Sequence, residues 1–264
     1  MASSLADIKA RIGKLEDNLD AEAFISIYGR PKQGKTVLVA ELAQALNPDG
    51  LPILFCDTNT SRLSLADKPE LTQNVDFLDI EKPDDMAHIA HAVYTGANGF
   101  QDYSIVVVDE ASTVAKQILE AYIREKNGLS ATDPLPEFEG RDYAPATKMM
   151  ESWMAALKNA PDVHVLLTWH ERITVVQQEG EARKSTITQP DVWPGLMTAM
   201  NAQSQTIARI TSDLVMKMGK PNYEREVQSL STNTIIAGSR INLPLRADTE
   251  QWVDQVADFW LPAE

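Results

Sequence analysis

The octapeptide Gly29-Arg30-Pro31-Lys32-Gln33-Gly34-Lys35-Thr36 constrains this chain more than any other stretch, because it fits G-x-x-x-x-G-K-[ST]. Glycines at its two fixed places let the backbone bend around a phosphate where a Cβ would collide, so that successive N–H groups point inward. The preceding AFISIY reads as a strand, and Thr36–Leu46 as a helix closed by Asn47-Pro48-Asp49-Gly50. Such a loop needs this setting, since the helix presents its N-terminus to the anion. Gly29, Arg30, Pro31, Lys32, Gln33, Gly34, Lys35, Thr36 and Val37 are therefore the expected nucleotide-binding set. Lys35 would neutralise β- and γ-phosphate oxygens, and the Thr36 hydroxyl would ligate Mg²⁺.

A second signal is SIVVVDEAS, an almost wholly apolar strand ending in Asp109 and Glu110. Ligands of open α/β sheets bind at that end of the strands. Asp109 is the expected partner of the Mg²⁺ shell. Glu110 is the candidate to orient and deprotonate a water; the alternative is an acidic cap on the next helix. There is no N-K-x-D motif and no D-x-x-G after the acidic strand, so ATP is preferred to GTP.

Short apolar runs alternate with helical segments along most of the chain. PILFCD, Val75–Ile80, SIVVVDE and VHVLLTW read as strands; Asp84–Tyr94, Ser112–Lys126 and Ala144–Asn159 read as helices. The alternation implies a mainly parallel sheet with helices on both faces. Asn127–Tyr143, rich in Pro, Gly and acids, reads as a long loop. The C-terminal part differs. RITVVQQEGEARKSTITQ looks like a hairpin turning at Glu179-Gly180, Met197–Ile210 like a helix, and DLVMKM, YEREVQSL and TNTIIAG like antiparallel additions before a closing helix, QWVDQVADFW.

Residues 1–20 carry Leu5, Ile8, Ile12, Leu15 and Leu19 three and four apart, one stripe of an amphipathic helix. That stripe can dock on the chain's own core or on a neighbouring subunit, as an oligomerisation arm ahead of one domain over 21–264. Net charge is −14, which weakens free-standing affinity for nucleic acid without excluding a local basic groove. One cysteine, Cys56, excludes an internal disulfide. Apolar runs too short to cross a bilayer and a polar N-terminus point to no membrane and a cytoplasmic location.

Three further places carry polar groups. Asp57-Thr58-Asn59-Thr60-Ser61 ends the second strand, as a hydrogen-bonded turn or as a contact to water or metal. Thr168 and His170 end VHVLLTWH, as a γ-phosphate sensor or a plain strand exit. Arg240 lies between late β segments, either solvated or reaching a neighbouring subunit's γ-phosphate.

Taken in order, YGRPKQGKT, LFCDTNT, IVVVDEAS, VHVLLTWHE and AGSRINLPL resemble the RecA/RadA-like P-loop ATPases, particularly phage-type nucleotide-binding or single-strand-annealing recombination proteins. The resemblance spans most of Phe24–Leu245. It implies ATP-dependent action on single-stranded DNA in recombination or replication, by a homo-oligomeric ring or filament, with Arg240 reaching across the subunit interface. Two departures stand out. Gly238 and Ser239 replace the first two residues of a K-N-R element, and Asn59 stands where such proteins carry a water-activating glutamate. Either Glu110 has taken that role or hydrolysis is weak. Beside the DNA-directed ATPase stand two other readings: a protein-remodelling or loader ATPase, and a nucleotide switch that controls assembly without turnover.

Overall fold

The structure, a computed structural model, describes residues 22–176, 185–217, 220–232 and 235–261. The amphipathic stripe expected over 1–20 and the turn Glu179-Gly180 lie outside the described residues.

Strands β1 (Phe24–Gly29), β2 (Ile53–Asp57) and β4 (Ile105–Asp109) are buried at every position. Their unbroken apolar runs require this, since strands of a parallel sheet are covered on both faces. With β3 (Val75–Asp79), β5 (His164–Val176), β7 (Thr206–Lys217), β8 (Lys220–Gln228) and β10 (Arg246–Asp248) they form a sheet in the order β10-β8-β7-β1-β5-β4-β2-β3. Neighbours from β7 to β3 are parallel, and β8 and β10 extend the sheet antiparallel. Helices α1 (Lys35–Ala45) and α6 (Thr249–Trp260) cover one face. On the other pack α2 (Asp85–Thr95), α3 (Ala111–Asn127), α4 (Tyr143–Lys158) and α5 (Pro194–Gln203). This is an α/β P-loop NTPase fold with antiparallel C-terminal additions.

The helix expected over 197–210 is corrected: α5 stops at Gln203, and β7 begins at Thr206, pairing in parallel with β1 from Ile25↔Thr206 to Tyr28↔Arg209. The physical reason is two-sided burial. Ile207 enters the core under α2–α5, while Ala208 and Ile210 enter the core under α1 and α6. Adjacent residues can face opposite cores on a strand but not on a helix. The late strand expected in TNTIIAG also differs: residues 233 and 234 are outside the described residues, and Ile235 makes a single bridge to Thr188.

Two strands run on past the sheet's C-terminal edge. The distal half of β5 pairs antiparallel with β6 (Ser185–Pro190), and the distal half of β7 pairs with β8. Loop 127–143 is pinned rather than free, because Arg124 donates to the Asp133 carbonyl at 2.9 Å and Lys126 pairs with Asp142.

β1 and β7 meet most closely where the chain leaves the sheet. A Cβ on Gly29 would lie 2.7 Å from the Ile210 carbonyl oxygen and 2.8 Å from Ile210 Cγ2. Gly29→Ala is therefore expected to cost about 1–3 kcal/mol in denaturant unfolding. Because one of the two clashes is with backbone, Ile210→Ala should not restore the loss.

Candidate nucleotide-binding site

β1 delivers the chain into a loop that contains two left-handed residues, Lys32 (φ 65°) and Gly34 (φ 89°). Such residues turn neighbouring N–H groups toward one concave side, which makes a nest for an anion. Arg30, Pro31 and Lys32 are exposed at its mouth. Val37 puts its side chain into the core, leaving its N–H in the first turn of α1, where helical N–H groups lack intrahelical partners. The β7–β8 hairpin grips the loop from the side. The Gln33 amide oxygen accepts from the Ser212 N–H, and Arg225 lies where a Cβ on Gly34 would be, 2.7 Å away at Nε. The positive φ favours glycine there, whereas the Arg225 contact is with the far end of a flexible side chain.

Lys35 is buried and donates to the carbonyls of Gly29 and Arg30, each at 3.2 Å. Burial lowers its pKa, while Glu110, Asp109 and Glu171 pull it back up. Glu171, at the exit of β5, anchors the loop's flank. It accepts from Arg209 Nε at 2.7 Å and from Arg30 Nε at 3.1 Å.

Asp109 is fully buried and ties three other segments together. Its Oδ2 accepts from Thr36 Oγ1 at 2.7 Å and from Ser61 Oγ at 2.5 Å, and its Oδ1 accepts from Thr168 Oγ1 at 2.5 Å. Burial pushes this carboxyl above the ordinary aspartate range, and the three hydroxyls only partly offset it. Asp57, one strand over, accepts backbone N–H groups from Asn59, Ser61 and Arg62 and thereby folds the turn that carries Asn59 and Ser61.

Glu110 follows in a left-handed conformation (φ 70°, ψ 58°), with its N–H held by Thr168 Oγ1 at 2.8 Å. Its side chain does not cap α3. Instead Oε2 accepts from His170 Nε2 at 3.0 Å and from the Asn59 amide, with Thr113 Oγ1 at 3.5 Å. Burial raises the Glu110 pKa, but hydrogen bonds and positive charge from His170, with help from Asn59 and Lys35, outweigh it and hold the carboxyl below its usual range. His170 Nδ1 is buried with no partner among the described residues.

The structure thus brings together Gly29 to Thr36, Asp109, Glu110, Asn59, Ser61, Thr168 and His170. It does not bring Arg240 to them. Arg240 follows β9 (Gly238–Ser239), which pairs with the first residues of β7 at the opposite end of the sheet. Arg225, Arg209 and Glu171 belong to no local motif, and only their meeting in space marks them.

Among the described residues no three His, Cys, Asp or Glu side chains converge to hold a metal by themselves. The Thr36 hydroxyl beside the Asp109 carboxylate nonetheless fits Mg²⁺, which takes few protein oxygens and completes its shell with phosphate and water. Phosphate nest, buried lysine and hydroxyl–carboxylate pair define a nucleotide-binding P-loop ATPase module. A family model described as an AAA domain matches residues 21–241, and the chain belongs to that family. No curated protein matches it. Among solved structures it is similar to the flagellar accessory protein FlaH from Methanocaldococcus jannaschii, with 14% identity and a TM-score of 0.47 over 90% of this chain and 92% of that one.

Glu171→Gln keeps the shape but leaves the Arg209 guanidinium without its carboxylate, while Arg30 stays solvated. It is expected to cost about 3–5 kcal/mol in denaturant unfolding, because the Glu171 side chain is 1% exposed and the Arg209 side chain 17%.

Proposed function

We propose that this protein is a Mg²⁺-dependent ATPase whose turnover drives assembly with, or remodelling of, protein partners. The observation that carries hydrolysis is the posture of Glu110: three donors converge on Oε2, and among the described residues Oε1 has no partner. A carboxylate held on one oxygen and free on the other, ionised by its surroundings, is what activation of water requires.

The mechanism follows from these positions. Loop N–H groups and Lys35 bind the β- and γ-phosphates. Mg²⁺ at Thr36 and Asp109, when bound, supplies further charge neutralisation there. Glu110 orients a water in line with the γ-phosphorus and takes its proton as the new P–O bond forms. The bond to the bridging oxygen breaks, and ADP leaves with its electron pair. His170 and Asn59 act through Glu110, as positioning residues. Asn59 therefore replaces the glutamate that RecA-like proteins carry there with a donor to the new base.

For the partner, the hairpins beside the loop favour protein. Ile173 and Val175 on β5, and Leu214, Met216 and Tyr223 on the β7–β8 hairpin, are all exposed. Apolar side chains of this kind suit a protein contact better than a phosphodiester backbone, which calls for cations. The charge of −14 agrees. Arg172, a cation on the β5–β6 hairpin, is engaged by the Gln189 amide oxygen at 2.8 and 3.0 Å once that amide is oriented to accept.

The test is ATP hydrolysis with and without single-stranded DNA. Turnover indifferent to DNA and lost in Lys35→Ala is expected; turnover rising steeply with DNA would move the reading to recombination. Glu110→Gln should keep ATP binding while kcat falls roughly 10²–10⁴-fold. No turnover in the native protein, with ATP bound, would make it a switch.

His170→Ala gives a sharper readout. With that donor gone, burial of Glu110 is less opposed and its pKa rises. The acid limb of kcat should therefore move to higher pH, with KM for ATP little changed. An unmoved limb would remove His170 from the mechanism.

A further inference from the structure

The flank of the phosphate loop that faces away from Glu110 carries a cation of its own. Alternate residues of a strand share a face, and Val227 of β8 lies in the core under α1 and α6. Arg225, two residues earlier, therefore points to the same side and reaches the start of α1. There its guanidinium meets the loop. A Cβ on Gly34 would stand 2.7 Å from Arg225 Nε, 2.8 Å from Cζ and 3.2 Å from Cδ. The same rung of the hairpin is tied to the loop, since Ser212, the register partner of Arg225, gives its N–H to the Gln33 amide oxygen.

In a phosphate loop, the side chain that glycine lacks is the room in which the backbone closes on the anion. Here a guanidinium borders that room. The arginines around the loop differ in what they hold. Arg30 and Arg209 both pair with Glu171. Arg225 is half-buried and makes no hydrogen bond or ion pair among the described residues. Glu41, further along α1, feels its charge, which opposes the upward push of burial on that carboxyl, yet stays beyond ion-pair distance. A guanidinium has only donors to offer, so one taken partly out of water calls for an acceptor.

Which part of a nucleotide it faces follows from the strand order β8-β7-β1-β5-β4. Glu110 lies just past β4, on one side of β1, and Arg225 comes from β8, on the other. Lys35, within the loop, is answered by Glu110, Asp109 and Glu171, so its charge serves the Glu110 side. A triphosphate laid across the loop with its γ-phosphate toward Glu110 brings its α-phosphate toward β8.

We propose that Arg225 is a nucleotide-binding residue, held against Gly34 by the β7–β8 hairpin to take the α-phosphate. The inference rests on the nucleotide-binding reading of the loop and adds to it a second source of affinity, a late hairpin. A guanidinium fork suits this task, because it gives charge-assisted hydrogen bonds to phosphate oxygens in pairs.

The test is calorimetric binding, with Mg²⁺, of ADP, of the β,γ-imido analogue of ATP and of tripolyphosphate, which carries a third phosphate but no base or sugar. Arg225→Ala should weaken all three by a similar factor, about ten- to hundredfold. Thermal unfolding of the nucleotide-free protein should stay unchanged, because the side chain gives up no hydrogen bond. Arg225→Gln, which keeps most of the packing, should lose as much, and Arg225→Lys should bind about threefold or more tighter than Arg225→Gln. A loss confined to the ATP analogue would put the guanidinium at the γ-phosphate. A loss that spares tripolyphosphate would put it on the base or the sugar. Either result, or unchanged binding, overturns the assignment. Because binding rather than turnover is read, a native protein that binds these ligands without hydrolysing ATP would sink the ATPase reading and leave this one standing.

Discussion

The buried Asp109 carboxylate is the constraint on which the rest of the site depends. An ionised group taken out of water needs several donors, and here the ends of three other segments supply them: Thr36 from the first turn of α1, Ser61 from the turn after β2, and Thr168 from β5. Each donor sits on an element whose position is fixed by the strand order, in which β5 lies between β1 and β4. Strand order and hydrogen bonding are thus one fact seen twice. Were β5 elsewhere in the sheet, Thr168 could not hold both the Asp109 carboxylate and the Glu110 N–H.

That double use of Thr168 has a functional consequence. By holding the Glu110 N–H it supports a left-handed residue at the start of α3, a conformation that a glutamate adopts only where its surroundings over-determine it. The turn that results keeps the Glu110 side chain off the helix it precedes and directs it toward Asn59 and His170. Local backbone strain therefore turns what would be an ordinary acidic cap toward Asn59 and His170 instead.

The phosphate loop is supported from its other flank by charge and by contact. Glu171 clamps Arg30 and Arg209, while the β7–β8 hairpin reaches the loop through Gln33 and Arg225. That hairpin also carries Leu214, Met216 and Tyr223, all exposed.

How much was legible in the chain follows from the range of each interaction. The phosphate loop, the acidic strand end and the all-buried strands were readable because each rests on a short run of residues whose chemistry is local: glycines for a bend, an apolar run for two-sided burial, Asp-Glu at its end. Segment 197–210 misled because its apolar spacing suits a helix, and only the presence of cores on both faces of β1's neighbour makes a strand the better solution. The same holds within the site. That Asn59 would donate to Glu110 and that Arg225 would pack on Gly34 depend on residues 51 and 191 positions apart, and no local pattern encodes them. The sequence by itself determined the loop, its lysine and its acidic strand, since local backbone and burial preferences suffice for these. Only the tertiary structure decided which donors surround Glu110 and which residues grip the phosphate loop from the side, because those follow from strand order.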